Sequence, residues 1–296
     1  MSKLKSIVSA VAFGTALATA SLANAALITE WSFNVTNSWV ASSLTWEDSG
    51  GTQRLEPNRS TLPNGQDPAG SYASIRWGEP ENQQNRQSFL AADRNYYQGS
   101  LITNDANGAR GASFYHGNYN ISGRSLTGAE LLTSVTINSK TPSGLSLPIE
   151  LSFNIDFSET LNTRSNGNAL PRTQCEGYNR WSAGLSSSTL NNVASCPDRF
   201  ALDLSELSFS QQIEDYIYTF SIDFGGSSNV LNITENNGKM EIWTREGIMS
   251  TLTTLIRVSA TQVPPPVSEV PEPGTIALLG FGLAGAGLSL RRRRRK

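Results

Sequence analysis

Alternation of apolar and polar side chains at every second position is the feature that most constrains the fold of this chain. From Leu27 to Val35 one face is mainly apolar, and the other carries Glu30, Ser32 and Asn34. This period is typical of a β-strand with one buried face. Similar runs follow at residues 39–46, 72–77, 113–116, 131–138, 149–157, 216–224, 239–244 and 252–260.

Clusters of turn-forming residues separate these runs, at 48–51, 63–65, 107–108, 166–168, 225–228 and 236–238. Helical periodicity is confined to one short turn within 203–211. Many short strands with regular turn signals are typical of antiparallel sandwiches. We therefore predict an all-β fold, an antiparallel β-sandwich or jelly-roll-like single domain over residues 26–262, with a proline-rich linker at 263–269.

The first 25 residues have the three parts of a secretory signal peptide. Lys3 and Lys5 supply a basic start, residues 7–20 form a short apolar run, and Ala23-Asn24-Ala25 is an A-x-A cleavage site. We predict export and removal of residues 1–25 by signal peptidase between Ala25 and Ala26. The alternative is an uncleaved N-terminal anchor helix, which the short apolar run disfavours.

The C-terminus, residues 270–296, combines a proline-broken tripeptide, an apolar segment and a basic end. The tripeptide is Pro271, Glu272 and Pro273, and the apolar segment covers about 275–290. The basic end, 291–296, consists of Arg291, Arg292, Arg293, Arg294, Arg295 and Lys296. The apolar segment predicts a helix of about 25 Å, slightly shorter than the roughly 30 Å hydrocarbon core. Because six cations resist transfer, we predict a transient inner-membrane anchor with a cytoplasmic basic end; a permanent anchor or a buried core helix is the alternative.

These C-terminal elements resemble the PEP-CTERM sorting signal of Gram-negative bacteria, in the same order. The resemblance implies that exosortase, a membrane-embedded cysteine transpeptidase, recognises Pro271, Glu272 and Pro273 and cleaves nearby. Arg291 to Arg295 then act as stop-transfer residues, and the product is released or transferred to the cell surface. Pro271 and Pro273 also have a structural interpretation, which is compatible with recognition by exosortase: each lacks a backbone N–H and so ends a helix.

The charge of the exported part argues against nucleic acid as a partner. Two of the 23 basic residues lie in 1–25 and six in 291–296, and Glu272 is the one acidic residue outside 26–270. Residues 26–270 thus keep 15 basic and 24 acidic side chains, a net charge of −9. Binding to nucleic acid requires a basic surface that neutralises phosphates. We therefore expect no nucleic-acid partner, and solubility outside the cell.

Cys175 and Cys196 are the two cysteines of the chain. An even number of cysteines in an exported domain predicts a disulfide, here closing a segment rich in glycine, serine and asparagine. Metal ligation is the alternative, but two thiols and one distant histidine do not supply a closed zinc site. We predict the disulfide, no metal and no cofactor.

Four segments of the predicted domain resemble landmarks of the THxN family of PEP-CTERM proteins, which are exported, β-rich and without an assigned activity. The segments are residues 74–78, 87–89, 114–121 and 196–200. His116 and Asn118 match the Thr-His-x-Asn motif of that family, whereas Tyr115 stands where threonine is usual. The resemblance implies a β-rich exported protein and leaves the role of His116 and Asn118 open.

His116 is the single histidine and the first candidate for chemistry. It could act as a general base or ligand-binding residue with Asn118. The structural interpretation is that its imidazole bonds a backbone group and pins a turn at Gly117. We prefer that interpretation because no nucleophile lies at catalytic spacing, although a Ser–His–Asp set meets only in space and stays open.

Two further polar groups are weaker candidates. Residues 104–108 have the oxygen ligands of a calcium loop but lack its alternating acids and distal glutamate, so we expect a plain turn. Asp156 with Glu159, or Glu214 with Asp215, could form a glycosidase pair. Their sequence context favours solvated strand edges.

The aromatic residues allow two interpretations, a sugar-stacking platform or the sandwich core, and we expect the core. They are Trp39, Trp46, Trp77, Trp181 and Trp243, with Tyr96 and Tyr97. Because no catalytic constellation stands out, we expect a non-catalytic surface or extracellular-matrix protein associated with exopolysaccharide. A carbohydrate-binding module with exposed tryptophans and a polysaccharide hydrolase are the alternatives.

Overall fold

A computed structural model describes residues 26–47, 53–60, 62, 71–80, 86–160, 169–193, 195–203 and 207–264. The predicted signal peptide, the Pro-Glu-Pro tripeptide, the apolar segment, the basic end and most of the linker lie outside these residues. Among the helices inside them, none has the length and apolar character that crossing a membrane requires.

The described residues form β-strands joined mostly by short turns. The strands are β1 (Glu30–Trp39), β2 (Thr45–Trp46), β3 (Gln53–Arg59), β4 (Tyr72–Trp77), β5 (Glu79–Pro80), β6 (Ser88–Asp93), β7 (Asn95–Ile102), β8 (Ala109–Asn118), β9 (Ile121–Ser122), β10 (Leu126–Thr141), β11 (Ser143–Ser158), β12 (Asp198–Asp203), β13 (Ser208–Ile213), β14 (Tyr216–Ser228), β15 (Val230–Asn236), β16 (Lys239–Thr244) and β17 (Ile248–Gln262). The helical elements are α1 (Tyr178–Trp181), α2 (Ser187–Asn191) and the 3₁₀ turns Ala41–Ser43 and Arg172–Gln174.

Two antiparallel sheets contain nearly all of these strands. The first has the order β15-β16-β12-β11-β10-β1-β7, with β2 beside β10, and the second has the order β13-β14-β17-β8-β6-β4-β3. β5 and β9 form a separate two-stranded ribbon. Between the sheets, Trp31 of β1 meets Tyr218 and Phe220 of β14 edge-on, with ring centroids 5.2 and 5.4 Å apart. The prediction of an all-β antiparallel sandwich is confirmed.

The predicted strands are recovered with three differences. All the predicted runs from 72–77 onward lie within strands, but the prediction of a strand over 39–46 is wrong. There β1 ends at Trp39, and a 3₁₀ turn and the two-residue β2 follow. The predicted turn at 225–228 lies within β14, where a register shift between Phe224 and Ser227 marks a bulge. β13 begins at Ser208, inside the segment where a helical turn is predicted.

The segment between the two cysteines carries both α-helices and packs on the outer strands of the first sheet. Trp181 of α1 and Trp243 of β16 belong to one buried cluster with Cys175 and Cys196. The sulfurs of the cysteines lie 2.08 Å apart and their Cα atoms 5.4 Å apart, as a disulfide requires. Gly177 has φ +64°, and a β-carbon there would meet the Trp243 ring at 2.3 Å. A glycine at this position therefore lets α1 approach the sheet.

Oxidation of this cysteine pair in the exported protein stays a prediction. Non-reducing digestion followed by mass spectrometry should yield one linked peptide pair containing Cys175 and Cys196. Reduction should separate the pair, with a mass gain of one hydrogen atom on each peptide. Two free thiols in protein recovered from its native cell would contradict the prediction.

Candidate functional site

Three neighbouring strands of the first sheet bring three acidic residues to one edge. β11 ends one residue before Glu159, and β12 begins at Asp198. β16 ends at Thr244, two residues before Glu246. Because β12 pairs in antiparallel with both neighbours, and Asp198 lies opposite Thr244, the three acidic residues share this edge.

The three carboxylates form a compact, largely buried cluster. One oxygen from each of Glu159, Asp198 and Glu246 lies within 4.8 Å of the other two. Asp198 is fully buried, and its Oδ1 accepts hydrogen bonds from the backbone N–H of Thr160 at 2.8 Å and from the Thr160 hydroxyl at 3.1 Å. Oδ2 of Asp198 is buried and receives no hydrogen bond from the described residues. The cluster therefore presents carboxylate oxygens to a ligand.

Burial shifts the titration of this cluster strongly. Burial raises the pKa of Glu159 to about 8, and the carboxylates of Glu246 and Glu47 add to the rise. Burial also raises the pKa of Asp198 well above its ordinary value, reinforced by Glu159 and Glu246. The charges that act on both groups are carboxylates, so full ionisation is unfavourable without compensation. Protons or a bound cation supply that compensation.

A cleft of about 540 Å³ opens beside Glu159. Its lining consists of Glu47, Thr127, Phe157, Ser158, Glu159, Leu170, Gln174 and Glu176. Glu159 thus belongs both to the cleft and to the buried cluster. Solvent, ions and small solutes reach Glu159 by this route.

His116 and Asn118 connect the second sheet to the turn that carries Glu246. Nδ1 of His116 lies 2.7 Å from the hydroxyl oxygen of Thr244, and the Asn118 side-chain amide donates to the Thr244 carbonyl at 3.5 Å. The backbone N–H of Gly247 donates to the Asn118 carbonyl at 2.7 Å. Since β8 lies in the second sheet and β16 in the first, these contacts fix the crossing between the sheets. We call His116, Asn118 and Thr244 the inter-sheet clamp.

His116 is enclosed in the sandwich, only 2% exposed. The Trp77 ring is stacked on it with centroids 6.2 Å apart, and Phe157 and Phe200 meet it edge-on at 5.3 and 6.0 Å. Burial lowers its pKa to about 3, so the imidazole is neutral at physiological pH. Its partner is a threonine side chain in place of the predicted backbone group, and it has no access to a substrate in solvent.

Gly117 has a different role from the one its sequence context predicts. The chain does not turn there, because β8 continues to Asn118. A β-carbon at this position would meet the ring of Phe89 at 2.1 Å. The glycine therefore allows the fully buried Phe89 to cross the strand closely.

Most of the tryptophans lie in the core, as expected, and this disfavours a sugar platform of exposed tryptophans. Trp31, Trp39, Trp77, Trp181 and Trp243 are all buried, between 0 and 7% exposed. Trp46 is half-buried, with the Arg124 guanidinium 5.7 Å from its ring. Tyr96 packs on Phe33, with ring centroids 6.3 Å apart, and the Tyr97 side chain lies outside the described residues.

Neither candidate glycosidase pair has both of its carboxylates in one enclosed site. Asp156 is exposed and forms an ion pair with Lys239, whereas Glu159 joins the buried cluster. Glu214 and Asp215 form the turn between β13 and β14, with Glu214 exposed. The expectation of solvated edges is therefore wrong for Glu159. The sequence does not single out Asp198 or Glu246 as site residues. An acidic residue beside a strand is a pattern that many solvated positions share.

The candidate calcium loop at 104–108 is a plain turn, as expected. Oδ1 of Asp105 accepts hydrogen bonds from the backbone N–H of Asn107 at 2.9 Å and from its side-chain amide at 3.1 Å. The backbone N–H of Gly108 donates to the Asp105 carbonyl at 3.3 Å. The carboxylate is thus used to close the turn itself.

Comparison with known proteins bears on the C-terminus. Residues 269–294 match the family described as the PEP-CTERM protein-sorting motif, and this match includes the tripeptide, the apolar segment and most of the basic end. No curated protein matches the chain. The THxN resemblance of the β-domain stays a prediction. The motif implies processing by exosortase, export and a location at the cell surface or outside the cell. The chain therefore carries a PEP-CTERM protein-sorting motif at residues 269–294, and its described part is an all-β antiparallel sandwich.

Proposed function

We propose that this protein is a non-catalytic component of the extracellular matrix, associated with exopolysaccharide in a biofilm. The observation that carries the proposal is the sorting motif at 269–294, which follows the β-sandwich and directs it outside the cell. Signal peptidase removes the N-terminal segment and exosortase processes the C-terminal one. The inner membrane holds residues 275–290 only during this processing.

The surroundings of His116 support a structural role for the domain. A general base must reach the proton that it abstracts, within about 3 Å or through one water. His116 is 2% exposed, and its near neighbours Trp77, Phe157 and Phe200 are aromatic. Its ring nitrogen contacts Thr244 in the inter-sheet clamp. This structural role favours a non-enzymatic protein over a hydrolase with a histidine mechanism.

Association with exopolysaccharide is tested by fractionating native cells into matrix, membrane and medium. We expect the protein in the matrix fraction. A strain that lacks the exopolysaccharide should release it into the medium, because its retention then depends on the polymer. Unchanged retention in that strain would contradict the association while leaving export intact.

Replacing Arg291 to Arg295 with glutamate should prevent correct sorting. The positive charges hold the C-terminus in the cytoplasm and so present Pro271-Glu272-Pro273 on the opposite side of the membrane. We expect surface display to be lost, measured by protease accessibility on intact cells. The matched control replaces the same arginines with lysine, which keeps the charge and should keep display. Normal display of the glutamate variant would refute this mechanism.

A further inference from the structure

We propose that Glu159, Asp198 and Glu246 form a calcium site that ties the two sheets together at one edge of the sandwich. Glu159 and Asp198 flank strands of the first sheet, and Glu246 lies in the turn that leads from β16 into β17 of the second. The proposal requires export of the protein, since calcium is abundant outside cells, and is independent of any association with polysaccharide.

The orientation of Asp198 is the first argument for a bound cation. This side chain is fully buried, and both hydrogen bonds from Thr160 go to its Oδ1. Oδ2 is left without a donor. A buried carboxylate oxygen without a partner is costly. A cation bound by the cluster removes that cost for Asp198.

The number and chemistry of the carboxylates favour calcium among divalent cations. Calcium binds oxygen ligands at 2.3–2.6 Å, so two of its ligands can lie up to about 5 Å apart. Magnesium demands near-ideal octahedral geometry and gives up its waters reluctantly, so it is usually bound through only one or two carboxylates. The cluster oxygens lie within 4.8 Å of one another. Zinc prefers nitrogen and sulfur ligands, which the cluster does not offer.

The cleft supplies the rest of the coordination shell. Calcium takes six to eight oxygen ligands, more than three carboxylates provide. Glu159 lines the cleft with Glu47, and water enters by the same route. Glu47 also acts electrostatically on Glu159, so it lies close enough to attract the cation. The predicted absence of a metal site rests on sequence spacing, which does not show this cluster.

A cation at this position has a mechanical consequence. Glu246 belongs to the crossing turn, whose Gly247 has φ +79°. The inter-sheet clamp holds the same turn through Thr244 and through the N–H of Gly247. Calcium and the clamp therefore both fix the crossing between the sheets.

The test is a calcium titration of the exported full chain after removal of metal with EDTA. At a calcium concentration about 100-fold above Kd, we expect the midpoint of thermal unfolding to rise by about 5 °C. Extracellular calcium sites of this kind have Kd values up to about 10⁻³ M. Magnesium at the same concentration should produce a smaller rise. A wild-type protein that does not respond to calcium overturns the proposal.

Variants separate calcium binding from general damage to the fold. Asp198→Asn and Glu159→Gln should weaken calcium binding at least about tenfold. In EDTA they should unfold at the same or a higher temperature than the wild type, because a like charge is removed. Asp156→Asn is the matched control, since Asp156 lies in β11 three residues before Glu159 but is exposed. If it weakens binding as much as Asp198→Asn does, the site is wrongly assigned.

Terbium gives a second readout that does not depend on stability. Tb³⁺ resembles calcium in size and in its preference for oxygen, and its emission is sensitised by a nearby tryptophan. The Trp77 side chain lies within reach of the Glu159 carboxylate. We expect tryptophan-sensitised emission that calcium displaces and that Glu246→Gln abolishes. If Asp198→Asn fails to fold, retention of emission in Glu246→Gln refutes the proposal in its place.

Discussion

Replacing Trp77 with alanine is expected to lower the free energy of unfolding by about 3–5 kcal/mol. The side chain is fully buried, stacks on His116 at an interplanar angle of 15° and meets Phe157 edge-on at 5.2 Å. It extends from the second sheet to the first, so its removal leaves a cavity between them. Rigid strands on both sides prevent the cavity from closing fully, and this adds to the lost burial.

Urea unfolding measures the effect of Trp77→Ala, with an unchanged m-value showing that only stability has changed. Trp46→Ala is the matched control. Trp46 is half-buried and covered on one side by Arg124, so its loss should cost about 1 kcal/mol or less. Equal losses in the two variants would contradict the assignment of Trp77 to the core.

The alternating pattern predicts those strands that have one buried and one exposed face. β10 is an example, since Leu131, Thr133, Val135 and Ile137 are buried while the residues between them are not. β6 shows why other strands escape prediction. Its segment Ser88–Asp93 lies between neighbours on both sides and is buried on both faces, so it has no alternation. The edge strand β13 is not predicted either, because it is mostly exposed and therefore also lacks alternation.

The acidic cluster escapes prediction because strand order creates it. Glu159, Asp198 and Glu246 are far apart in the chain, and β11, β12 and β16 become neighbours only when the first sheet forms. Asp156 and Glu159 look alike in sequence, yet Asp156 points to solvent and Glu159 lies beyond the end of its strand, inside the edge. The C-terminal signal is predictable, because its function depends on a linear order of proline, apolar and basic residues.

Between pH 6.5 and pH 4, His116 is expected to reduce the free energy of unfolding by about 3 kcal/mol. Its pKa in the folded chain is about 3, below the ordinary value of 6.5, because burial disfavours the charged ring. As the pH falls below 6.5, His116 becomes protonated in the unfolded chain but stays neutral in the folded chain. Stability therefore declines by about 1.4 kcal/mol per pH unit and levels off near the folded pKa.

Comparison with His116→Gln isolates this contribution. Glu159 and Asp198 titrate in the opposite sense, since burial raises the pKa of both, but they are present in both proteins and cancel in the difference. The free energy of unfolding of the variant minus that of the wild type, measured with urea in EDTA, should increase by about 3 kcal/mol between pH 6.5 and pH 4. Thr244→Val removes the partner of Nδ1 and a hydrogen bond to the Asp198 carbonyl but leaves the imidazole in place, so it should lose stability at every pH and keep the wild-type slope. Parallel pH profiles for the wild type and His116→Gln would mean that the imidazole takes up its proton inside the folded domain. The assignment of His116 as an enclosed, neutral side chain would then be wrong.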